Sequence, residues 1–162
     1  MIQEHERIIR WRDCEREDLT PEQRDDLDGA EVARTEANPV ETKFTVGSVI
    51  RMQDDYTQTG SNDETHVHFG VHAETNAKQN VPPEHRNAGL KRVTIVAGPS
   101  ADEEHEVIYP TCGICLQVLS ELLKSGDNPE MVMAAVHGRV RIALFRDMLP
   151  FLFDPDCLKK QK

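Results

Sequence analysis

Aromatic side chains are scarce in this chain: one tryptophan, two tyrosines and five phenylalanines among 162 residues. So few aromatics offer no stacking stripe for the successive bases of a single-stranded nucleic acid. Basic residues are outnumbered as well. Nineteen lysines and arginines stand against 29 aspartates and glutamates, a net charge of −10, and an acidic protein repels a phosphate backbone. No apolar run approaches the length of a membrane span. Residues 1–18 are dense in charge and lack the apolar centre of a signal peptide, so a cytoplasmic location with no membrane partner is expected. Four cysteines are too few for a disulfide framework in that setting. Neither a glycine-rich phosphate loop nor a nucleophile elbow is present. These absences leave a small uncharged ligand as the best-suited partner, because whole-protein charge hardly affects its encounter.

The length suits one domain with its own core. Residues 1–18 read as a charged N-terminal extension with some helical character, and 19–162 as a single domain. Thr20-Pro21 is a helix start, with threonine as N-cap and proline at the first helical position. This helix is expected to run to about Ala37, with Leu27, Ala30, Val32, Ala33 and Ala37 on its apolar side. Lys43 to Arg51 and Tyr56 to Thr59 read as strands around a turn, and Leu90 to Ala97 is the strongest strand pattern. A helix is expected from Val71 to Asn80 and another from Pro110 onward, with a short strand at Glu106 to Tyr109 between them. Met131 to Val136 and Val140 to Phe145 read as strands joined at His137-Gly138-Arg139. The order implies an α/β fold, a three-layer α-β-α sandwich around a mixed five-stranded sheet.

Two short segments carry chemistry. His72-Ala73-Glu74 and Pro110-Thr111-Cys112-Gly113-Ile114-Cys115 both fall where a helix is expected to begin. Two thiolates and an imidazole suit zinc, and three protein ligands leave the fourth position open, the mark of a catalytic rather than a structural site. Backbone N–H groups at a helix start favour thiolate over thiol. Water at the open position would be acidified toward neutral pH. Glu74, two residues past His72, is placed to exchange protons with that water. H-x-E followed by P-C-x-x-C is a known signature of zinc deaminases, here with Thr111 between the proline and the first cysteine. A C-x-x-C alone would fit a redox pair or a structural half-site equally well. His68 lies four residues before His72 and is a rival ligand by helical spacing, although His66 and His68 read as polar loop residues.

These residues resemble the cytidine deaminase family over roughly residues 30 to 158. The family's Phe-x-Val-Gly-Ala strand is matched by Phe44-Thr45-Val46-Gly47-Ser48, and its Asn-x-Glu segment by Asn62-Asp63-Glu64 after Gly60. Pro110 to Gln117 echoes Pro-Cys-Gly-x-Cys-Arg-Gln, with Leu116 in place of the arginine. Leu149 to Leu158 reproduces a C-terminal Leu-Pro-x-x-Phe-x-Pro-x-x-Leu. The resemblance implies one Zn2+ per subunit held by His72, Cys112 and Cys115, with Glu74 as proton shuttle. It further implies Phe44 against a pyrimidine ring, Asn62 and Glu64 on the ribose hydroxyl, and the Ala73 N–H on the ring carbonyl. Phe153 would help close a neighbouring subunit's pocket in a homotetramer. The stretch from Asn62 to His72 is one residue shorter than in ordinary members, and that from His72 to Cys112 several residues longer. Thr75 stands where three-cysteine members have arginine, which suits a site carrying one thiolate fewer.

The expected activity is therefore hydrolysis of cytidine or deoxycytidine to uridine or deoxyuridine plus ammonia. Alternatives are a deaminase of another aminated small molecule, such as a blasticidin-type nucleoside, a polynucleotide editor, and an inactive zinc-binding relative. Net charge argues against the editor, and the retained Glu74 against the inactive form.

Overall fold

The computed structural model describes residues 4–65, 70–100, 105–149 and 151–153. Strands β1 (Trp11–Cys14), β2 (Phe44–Met52), β3 (Thr57–Ser61), β4 (Leu90–Pro99), β5 (Glu130–Ala135) and β6 (Val140–Leu144) form one sheet in the order β1-β6-β5-β4-β2-β3. Only β4 and β5 run parallel; the other pairs are antiparallel. Helix α1 (Pro21–Thr35) covers one face. Helix α2 (Ala73–Asn80) and helix α4 (Gly113–Leu119) cover the other, and the short helices α3 (Pro83–Arg86) and α5 (Phe145–Met148) complete the set. This is the expected three-layer α/β sandwich, with six strands among the described residues instead of five. Among the described residues, no helix is long and apolar enough to cross a membrane.

The sixth strand comes from the charged segment. Trp11–Cys14 pairs with Val140–Ala143, and Asp13 lies directly opposite Arg141. The Arg141 guanidinium donates to both Asp13 carboxylate oxygens at 2.7 and 2.8 Å and stands 5.5 Å from the Trp11 ring centroid. An edge strand held by its backbone ladder and a cross-strand ion pair needs little apolar burial, so its alternation is invisible to a search for hydrophobic period.

The period of two along β2 and β4 sorts residues between faces. Phe44, Val46, Ser48 and Ile50 share the α2 side with Ile95 and Ala97 of β4, while Val49 and Val96 join Leu27 and Ala30 in the core under α1. Helix α1 begins as expected: Thr20 Oγ1 accepts from the Gln23 N–H at 3.2 Å, and the Gln23 side chain accepts from the Thr20 N–H at 3.0 Å. It ends at Thr35 rather than Ala37, and Val32, expected on its apolar side, is 64 % exposed. Charged and amide residues take that place on the buried side: Gln23, Asp26 and Arg34. Asp26 receives Arg51 at 2.7 Å and Arg92 at 2.8 Å, and Arg92 also reaches Glu22 at 2.8 Å and Glu130 at 3.0 Å. One network thus ties α1 to β2, β4 and β5.

Two glycines let the helices lie close on the sheet. A Cβ on Gly47 would stand 1.9 Å from the Ala30 carbonyl oxygen of α1; one on Gly60 would stand 2.4 Å from the Ala77 nitrogen and 2.5 Å from the Ala73 oxygen of α2. Since the obstacle is backbone in both cases, neither position admits a larger residue without moving a helix. Two expectations fail nearby. Glu106 to Tyr109 forms no strand; its residues run irregularly from β4 to α4. Helices α2 and α4 begin at Ala73 and Gly113, two and three residues later than expected, which leaves His72 and Cys112 as their N-cap residues.

Candidate metal centre and cavity

N-cap side chains normally bond back to their own helix. Histidine and cysteine are poor at this, and neither His72 nor Cys112 makes a side-chain cap bond. Their extended backbones turn both side chains toward each other instead. Helix α2 is pinned for the purpose: the Thr75 hydroxyl donates to the His72 carbonyl at 2.8 Å, the Asn76 amide donates to the Ser61 carbonyl at 3.0 Å, and Val71 bridges Asp63. Cys115 lies one turn into α4 and is buried, as is Glu74 at 5 % exposure.

The ligand atoms of His72, Cys112 and Cys115 lie within 4.8 Å of one another. His72 Nδ1 is 3.4 Å from Cys112 Sγ and 3.3 Å from Cys115 Sγ. A nitrogen and a sulfur bound tetrahedrally to one zinc ion would be about 3.5 Å apart, so the three donors fit a zinc ion. The Cys115 thiol points to Glu74 Oε2 at 3.5 Å. Burial pushes that thiol far above its ordinary range, and the Glu74 carboxylate and Cys112 push it the same way. A divalent cation reverses such a field and holds coordinating thiols deprotonated. His66, His68 and Cys157 lie outside the described residues, and Cys14 is on the opposite side, against the core under α1.

A cavity of about 820 Å³ opens in front of this cluster. Its wall includes Phe44 and Val46 from β2, Ile95 and Ala97 from β4, Asn62, Glu64, and His72, Ala73 and Glu74. Ala73 is the first residue of α2, and an N–H at that position has no acceptor within its own helix. Asn62 braces the start of β2: its Oδ1 accepts from the Val46 N–H at 2.7 Å and its Nδ2 donates to the Phe44 carbonyl at 2.9 Å. Glu64 Oε2 accepts the N–H groups of Glu41 and Thr42 at 2.8 and 3.0 Å, while Oε1 accepts the Thr42 hydroxyl. That hydroxyl and the two N–H groups hold the Glu64 carboxyl below its ordinary range. Phe153 does not line this cavity: the residue is 58 % exposed, and its backbone is bracketed by the Gln117 amide at 2.9 and 3.2 Å.

The sequence reads Tyr109 only as a strand residue, yet it stands in the cavity wall, edge to face with Phe44 at 4.7 Å and 82°. The available signal was rarity, one of two tyrosines three residues ahead of the C-x-x-C.

No family sequence model matches the chain, and no curated protein sequence is significantly similar to it. Solved structures are similar. Cytidine deaminase from Burkholderia pseudomallei superposes with a TM-score of 0.65 at 24 % identity, over 83 % of this chain and 100 % of that one. The Bacillus anthracis cytidine deaminase gives 0.61 at 14 % identity, over 86 % and 94 %. The Mycobacterium leprae enzyme gives 0.58 at 22 %, over 76 % and 93 %. The chain has a cytidine deaminase-like fold.

Proposed function

We propose that this protein is a zinc-dependent hydrolytic deaminase of a free pyrimidine nucleoside, cytidine or deoxycytidine. The observation that carries the reading is a His-Cys-Cys donor set, its nitrogen 3.3 and 3.4 Å from the two sulfurs, with the buried Glu74 carboxylate 3.5 Å from Cys115, beside a ligand-sized cavity that His72, Glu74 and Cys112 line. A zinc ion held by His72, Cys112 and Cys115 would supply Lewis acidity that makes water a nucleophile near neutral pH.

The chain's own residues do the rest. Glu74 takes one proton from the attacking water and delivers it to the ring nitrogen, then carries the second, from the new C4 hydroxyl, to the departing amine. The water oxygen bonds to C4, the bond from C4 to the exocyclic nitrogen breaks, and uridine and ammonia leave. Phe44 offers an apolar face to a flat ring, and the Ala73 N–H is a donor for the ring carbonyl. Asn62 and Glu64 stand at the sugar end, where their remaining bonding capacity can pair a hydroxyl. No lysine or arginine among the described residues lines the cavity, which suits an uncharged nucleoside better than a nucleotide. Homotetramer formation belongs to the same proposal, supported by the exposed Phe151 and Phe153 rings; light scattering on the purified chain tests it.

The deciding experiment is an absorbance assay on cytidine and deoxycytidine with metal analysis of the same sample. One zinc per chain and turnover are expected, and Glu74→Gln should lower kcat by about 10² to 10⁴-fold while keeping the metal. Turnover of a blasticidin-type nucleoside with none of cytidine would move the activity to the alternative substrate. Undiminished turnover in Glu74→Gln would reject the mechanism.

A further inference from the structure

The geometry points to Tyr109 as a second substrate-binding residue, forming with Phe44 an aromatic corner around the pyrimidine ring. The inference rests on the proposed function for its ligand, and it goes beyond the residues that the family motifs supply.

Phe44 and Tyr109 are the aromatic residues among the described residues of the cavity wall, and both stand there beside His72, Ala73 and Cys112. Their rings meet at 82° with centroids 4.7 Å apart. Two rings at right angles make an inside corner. A flat heterocycle stacked on one ring then presents its positive edge to the face of the other, the arrangement that ring quadrupoles favour.

The tyrosine is also held in place. Its hydroxyl meets His105 Nε2 at 2.9 Å, and the two rings are nearly parallel, 4° apart. His105 is anchored in turn by its backbone N–H, which donates to the Val136 carbonyl at 3.1 Å. Its imidazole lies next to Gly98 of β4, where a Cβ would stand 3.8 Å from the ring. The polar tip of Tyr109 is thus satisfied by His105, leaving the apolar ring as what it offers to a ligand. The other tyrosine, Tyr56, is stacked on His85 at 3.9 Å and takes no part in the cavity.

The test pairs calorimetric binding of uridine, the non-reacting product, with steady-state deamination of cytidine, for the wild type, Tyr109→Phe, Tyr109→Leu and Tyr109→Ala. Loss of the ring should raise the uridine Kd and the cytidine KM about tenfold, with kcat within about threefold and zinc content unchanged. Tyr109→Phe keeps the ring and should stay within about threefold of wild type in both. If Tyr109→Ala does not fold, Tyr109→Leu, which keeps apolar bulk without a π face, decides. Wild-type uridine affinity in the folded Leu or Ala variant overturns the inference, as does a Phe variant impaired as badly as Ala. A wild type that binds no uridine overturns it too. Failure of the wild type to deaminate any aminopyrimidine would sink the proposed function instead, and uridine affinities would still judge Tyr109.

Discussion

On the α1 face of the sheet, the buried carboxylate of Asp26 meets two guanidinium groups, Arg51 at 2.7 Å and Arg92 at 2.8 Å. On the α2 face, the buried carboxylate of Glu74 meets a thiol at 3.5 Å, with a second thiol and an imidazole beyond it. Both faces bury acid under a helix that lies close on the sheet over a glycine. One supplies its own cations from β2 and β4. The other gathers donors and leaves the cation to come from outside. Buried charge fixed by the chain's own partners serves the fold, because removing a partner strands the other charge. Two thiols, an imidazole and a carboxylate gathered together fit a metal ion, whose charge would offset theirs.

Asp26→Ala is the strongest way to break this contrast. It leaves Arg92, 7 % exposed, and Arg51, 12 % exposed, without their shared carboxylate. A loss of about 3 to 5 kcal/mol in urea unfolding is expected, with zinc stoichiometry of the folded protein unchanged. Stripping zinc with a chelator should do the reverse, ending turnover while leaving the Asp26 network in place. If Asp26→Ala instead lost zinc with little change in stability, the two faces would not divide their labour as described.

The two close-contact glycines divide between the faces in the same way. Gly47→Ala drives a methyl into α1, 1.9 Å from the Ala30 oxygen, and Gly60→Ala drives one into α2, 2.4 Å from the Ala77 nitrogen. Each should cost about 1 to 3 kcal/mol of stability. Only Gly60→Ala moves the helix that starts at Ala73, so it alone should weaken zinc binding, read by titration against a competing chelator. Equal zinc affinity in the two variants would mean that the position of α2 does not set the site.

What could be read in the sequence follows the same division. His72, Glu74, Cys112 and Cys115 are legible because their chemistry is compressed into two short segments at helix starts that together match the zinc-deaminase signature. Phe44, Asn62 and Glu64 are legible as cavity residues by resemblance. That Asn62 also braces the Val46 and Phe44 backbone, and Glu64 the Glu41 and Thr42 N–H groups, is not, since those bonds depend on where strands end. The α1 network is hidden because Asp26, Arg51, Arg92 and Glu130 are far apart in sequence, and charged residues read individually as surface. Strand β1 is hidden for the same reason: its Asp13 finds Arg141 across 128 positions. Tyr109 escaped because its neighbours favour a strand, while its bond to His105 and its edge on Phe44 keep the segment irregular and turned into the cavity.

The smallest expected effect sits at the rim of the network, at Glu22. Hydrogen bonds from Lys91 first, then Arg92, lower the Glu22 carboxyl from 4.5 to about 2. An unfolded chain therefore binds this proton more readily than the folded one. The contribution is fully present above the unfolded value and is lost as pH falls from about 4.5 toward 2. Because the side chain is 35 % exposed, solvent screening limits the effect to less than about 1 kcal/mol. Glu22→Gln should accordingly lower the urea midpoint slightly at neutral pH and converge with the wild type in acid. A gap that widened as pH fell would show that Glu22 opposes the network instead of closing it, and the α1 face would then rest on Asp26 and Glu130 alone.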